Sequence, residues 1–103
     1  MSVLIYGIDD NAKQFHTLTV SGEEMFHKIW EPVIKELELK RIGDQRWLYR
    51  KDLPEIREEF RQILVYAEKN NIKAISEQAA YIIEHLEENW NTSAPDAERL
   101  WMG

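Results

Sequence analysis

Cysteine is absent from all 103 residues, which removes disulfides, thiolate nucleophiles and thiolate metal sites together and suits a reducing cytoplasm. Four glycines and three prolines are scattered along the chain, and they form neither a phosphate-cradling loop nor a dinucleotide fingerprint. None of the serines, Ser2, Ser21, Ser76 and Ser93, sits in a Gly-x-Ser-x-Gly elbow. No stretch approaches the ~20 apolar residues of a membrane span. The apolar run Val3 to Ile8 is too short for a secretion signal, lacks a preceding base and is followed by Asp9 and Asp10. Adjacent aspartates in a turn serve turn formation and solubility before catalysis. Histidines are few, and Glu24-x-x-His27 has the spacing of a di-iron helix but occurs once, where such a site needs two copies and further carboxylates. The expectation is a protein with no enzyme activity, catalytic residues, cofactor or metal.

Against these absences, 44% of residues are hydrophobic, and the aromatics include four Trp, four Tyr and three Phe. That is too much apolar surface for a disordered chain, and the length fits one domain that buries about two-thirds of its unfolded surface. The net charge of −6 is unevenly spread. Residues 1 to 73 hold 13 acids and 12 bases, whereas residues 74 to 103 hold six acids and a single base, Arg99. Within the balanced part, Lys40, Arg41, Arg46, Arg50 and Lys51 surround one acid, Asp44.

Periodicity orders the elements as β-β-α-β-α-α. Val3 to Ile8 and Gln14 to Val20 read as an antiparallel hairpin turned by Asp9-Asp10-Asn11. Ser21 with Glu24 matches a capping box and predicts a helix from Ser21 to Lys40. Met25, Phe26, Ile29, Trp30, Val33, Ile34 and Leu37 form its wide apolar arc, and Pro32 predicts a kink or break near Trp30. Gly43-Asp44 then turns the chain into a short strand at Arg46 to Arg50, which pairs with Leu39 to Ile42 or with the hairpin. Asp52 with Glu55 and Pro54 opens a second helix whose stripe is Leu53, Ile56, Phe60, Ile63, Leu64 and Ala67. Asn70-Asn71 stops it, and a third helix follows with Ile72, Ile75, Ala79, Ile82, Ile83, Leu86 and Trp90 on one side. Residues 92 to 103 begin with the breakers Thr92-Ser93-Ala94-Pro95 and read as an irregular tail. The expected fold is α+β: one domain over 1 to 103, with a small antiparallel sheet of two to four strands packed by three helices, the first of them central.

Two surfaces remain as candidates for function. On the third helix Glu77, Tyr81, Glu84 and Glu88 lie within roughly 60° of one another at ~100° per residue, away from the core stripe. This ridge reads either as a solvated face or as a docking site for a basic protein partner, for example a nuclease toxin that an immunity protein or antitoxin blocks. In the basic segment Trp47 and Tyr49 alternate with Arg46 and Arg50, a pattern that stacks bases and neutralises phosphate. It reads equally as a strand whose rings pack and whose charges are solvated. The acidic balance of the whole chain opposes a nucleic-acid partner, so the ridge is the preferred site, and the basic segment or a small enzyme without a motif are the alternatives.

Overall fold

The computed structural model describes residues 2–8 and 14–103. Its strands are β1 (Ser2–Ile8), β2 (Gln14–Gly22), β3 (Arg46–Tyr49) and β4 (Arg99–Met102). They form one sheet in the order β2-β1-β4-β3 with every pairing antiparallel. The helices are α1 over residues 23–36, α2 (Leu53–Lys69) and α3 (Lys73–Ser93). The fold is α+β, as expected; Asp9, Asp10 and Asn11 lie outside the described residues.

Alternation assigns the two faces of the sheet. Val3, Ile5, Leu18, Val20, Leu48, Leu100 and Met102 are buried and join the helices in one core cluster. Their neighbours Trp47, Tyr49 and Arg99 point the other way, into solvent. Leu53, Ile56, Phe60, Ile63 and Ala67 of α2, and Ile75, Ala79, Ile82, Leu86 and Trp90 of α3, are buried where their stripes place them. The most extensive helix packing runs between α2 and α3, and α3 also lies on β2. The packing centre is therefore this pair rather than α1, although α1 inserts Phe26, Trp30, Val33 and Ile34.

Three local expectations are corrected. No capping box opens α1: Ser21 and Gly22 extend β2, the Ser21 hydroxyl donates to the Gly22 carbonyl at 2.9 Å, and Gly22 is the N-cap. Pro32 neither breaks nor ends the helix. A π-helical turn, Phe26–Trp30, precedes it, and the Glu31 N–H bonds to the Phe26 carbonyl, so the widened turn absorbs the missing proline donor. The helix stops at Glu36 rather than Lys40, because Glu38 adopts φ 54° and the Leu39 N–H reaches the Ile34 carbonyl while that of Glu38 reaches Lys35. The stop expected at Asn70-Asn71 is observed: Asn71, at φ 57°, closes α2 by the same pair of bonds, to Glu68 and Ala67.

The largest correction concerns residues 92–103. Instead of an irregular tail they end in β4, which lies between β1 and β3 with Trp101 as register partner of both Tyr6 and Trp47. The strand at Arg46 therefore pairs with β4, and neither with Leu39 to Ile42 nor with the hairpin.

Candidate interaction surfaces

The ridge on α3 is present and open. Glu77, Tyr81, Glu84 and Glu88 are all exposed, and Tyr81 retains 48% of its accessible surface. Its ring leans on that of His85 at 4.3 Å between centroids. Lys73 comes within 3.8 Å of Glu77 at the N-terminal end, and Glu84 within 3.9 Å of the His85 Nε2. Glu88 has no ion pair among the described residues. Glu87, one position away, instead faces α2 and meets Arg57 at 3.4 Å.

The second surface lies on the sheet face that the helices leave uncovered. Tyr6, Trp101 and Trp47 stand in one register row across β1, β4 and β3. The Trp47 and Trp101 rings meet edge to face at 4.9 Å, the preferred arrangement of aromatic quadrupoles. Two residues along the strands, where Arg99 pairs with Tyr49, the Arg99 guanidinium carbon lies 3.9 Å from the Trp47 centroid, and Lys51 approaches the Tyr49 ring at 5.9 Å. Beside β3, at the edge of the sheet, a groove of about 290 Å³ is lined by Lys40, Arg41, Arg46, Trp47, Tyr49 and Asp52.

Not every base of the segment is available to this surface. Arg50, expected to face outward, is an internal brace. Its guanidinium donates to the carbonyls of Ala97 at 3.0 Å and Ala94 at 2.9 Å, bonds Asn91, and lies 5.0 Å over the Trp90 ring. The Trp90 indole N–H donates to the same Ala97 carbonyl at 3.0 Å. Together they fix the bend that carries α3 into β4. Arg41 is partly committed as well: its guanidinium lies 3.6 Å from Glu59, whose buried carboxylate accepts the N–H groups of Arg41 and Ile42 at 3.0 and 3.2 Å. That carboxylate ties the loop after α1 to α2. Conversely Arg99, Trp101 and Tyr6 were missed by reading the segment alone. For Arg99 and Trp101 the sequence signal is the alternation Arg99-Leu100-Trp101-Met102.

His27 is an exposed histidine among carboxylates. Its Nδ1 lies 2.8 Å from Glu31, and its Nε2 lies 3.5 Å from Asp44 and 3.9 Å from Glu23. The hydrogen bond to Glu31, helped by the three negative charges, raises its pKa above the ordinary 6.5. The same bond lowers that of Glu31. Among the described residues no group of three His, Asp or Glu side chains has the geometry to hold a metal ion, and no helix is long and apolar enough to cross a membrane.

No protein-family model, curated protein or solved structure matches the chain.

Proposed function

We propose that the protein works by binding rather than by catalysis, with the α3 ridge as the docking face for a basic protein partner. The observation that carries this reading is the placement of Tyr81, half exposed, between Glu77, Glu84 and Glu88, with Lys73 near Glu77 and the His85 imidazole near Glu84 as the groups that oppose them among the described residues. A solvent-exposed helix face that mixes signs gains from i,i+4 pairing. A face of one sign forgoes that gain and instead attracts a cationic partner and speeds its encounter. An aromatic at the centre supplies the anchor that charges alone do not. Nucleases are the leading partner class, because their own substrate sites are cationic, and an immunity protein or antitoxin in the cytoplasm is the role that fits.

The experiment compares the parent and the Glu77→Lys, Glu84→Lys, Glu88→Lys triple variant as baits in extract of the source cell at low salt. A cationic protein retained by the parent and lost by the variant supports the reading. Equal retention of the same protein by both discards the ridge.

A further inference from the structure

We propose that the open face of the sheet at β3 and β4 is a second binding site, for single-stranded nucleic acid, separate from the ridge. Most large side chains of this protein are covered, and Trp30 and Trp90 are fully buried; Trp47 at 39% and Tyr49 at 40% exposure are exceptions. Both lie on one face of an edge strand, and both have a cation on the ring, Arg99 and Lys51. An aromatic plane with a flat guanidinium laid on it offers stacking area to an unpaired base, while the charge meets the adjoining phosphate. The groove beside it continues the positive potential through Lys40 and Arg46, with Asp52 the acid on its wall. An acidic peptide would meet the same cations but would gain nothing from the rings, so the rings decide for nucleic acid. A duplex keeps its bases stacked internally and cannot offer them to the strand.

The net charge of −6 weighs on the whole molecule but not equally on this face. The acids of the ridge lie on the outward side of α3, and the core separates them from the outer side of the sheet. Binding should therefore be weak and strongly salt dependent. Neutralising three or four phosphates of a single strand gives a slope of log K against log salt of about −2 to −3.

The test is fluorescence anisotropy of a labelled twelve-nucleotide oligo-dT with the full chain at 50 mM salt. Saturable binding with that salt slope is expected, weakened about tenfold or more by Arg99→Gln and by Tyr49→Ala. Both substitutions leave the Trp47–Trp101 contact in place, so circular dichroism should match the parent. Absence of saturable binding, unchanged affinity in both variants, equal affinity for a duplex of the same length, or displacement of the oligonucleotide by a poly-glutamate peptide of similar length would each overturn the proposal. Retained oligonucleotide binding in the triple-lysine ridge variant supports it, and separates its outcome from that of the ridge.

Discussion

The acidic ridge and the aromatic sheet face differ in how they are made. The ridge is a local object: Glu77, Tyr81, Glu84 and Glu88 share a face because a helix repeats every 3.6 residues, and any helix in that register would present them. The sheet face is assembled from three distant segments, since Tyr6, Trp47 and Trp101 meet only after β4 has been inserted between β1 and β3. Rigidity follows the same division. Ridge carboxylates sit on flexible stems in water, where single charges contribute little to stability. The rings of the sheet face pack edge to face and under a guanidinium, so their geometry is set before any partner arrives. A partner of the ridge would be steered by charge, whereas one on the sheet face would be selected by shape.

The largest effect that separates the two regions comes from the brace beneath one of them. Arg50→Ala removes donors from the Ala94 and Ala97 carbonyls and the cation over Trp90. With hydrogen bonds from charged groups worth about 1.5–3 kcal/mol, and allowing for its partial exposure, the loss should be about 2–3 kcal/mol. That corresponds to a fall in Tm of roughly 10 °C or more for a domain of this size. Arg50→Lys should not rescue it, because an ammonium cannot span several acceptors in the plane of a fork. Lys51→Ala, one residue away, should stay within about 0.5 kcal/mol. Equal melting temperatures of Arg50→Ala and Lys51→Ala would remove the brace from the account and return Arg50 to the surface.

Why that brace escaped a sequence reading is a question of range. The helices α2 and α3 were legible because an apolar stripe of period 3.6 states both the element and its buried side, and the pairing of β1 with β2 because the two strands follow each other closely in the chain. Arg50 and its acceptors are more than forty residues apart, and the pattern Arg46-Trp47-Leu48-Tyr49-Arg50 continues the strand on paper. In the structure the chain leaves the strand at Tyr49 and enters a single 3₁₀ turn, Arg50–Asp52, which swings the guanidinium inward. The strand β4 escaped for a related reason: four residues after a breaker cluster carry little period, and their pairing lies with β1 and β3 rather than with a neighbour. The end of α1 was missed because Glu38, not glycine or asparagine, takes the left-handed position. The ridge, by contrast, lies where periodicity put it.

On the ridge itself, anchor and charges should separate kinetically once a cationic partner is in hand. Tyr81→Ala should cost ~2 kcal/mol of binding, mainly as faster dissociation, since aromatic anchors dominate interface energies. The triple lysine variant should lower the association rate, with the loss shrinking as salt rises. Both should melt close to the parent. A salt-independent loss in the triple variant would mean that its carboxylates make fixed, desolvated contacts, and the contrast with the rigid sheet face would fail.

The smallest effect concerns a third acidic region, one that carries its own counter-charge. Glu23, Glu31 and Asp44 surround His27, so here protonation of one imidazole decides whether three carboxylates are paired. The bond to Glu31 holds the folded pKa of His27 above 6.5. Its stabilisation is therefore complete below that value and is lost as pH rises through the raised folded value. Glu31, lowered from 4.5 by the same bond, contributes above its ordinary value and loses its part as pH falls through the lowered one. The two windows overlap between pH ~5 and ~6.5. The difference in Tm between the parent and His27→Gln should be largest there, decline toward pH 8.5, and diminish in high salt because the groups are exposed. A difference that does not change between pH 5.5 and 8.5 would show that His27 acts through packing and a neutral hydrogen bond alone, which would leave this cluster as unpaired as the ridge.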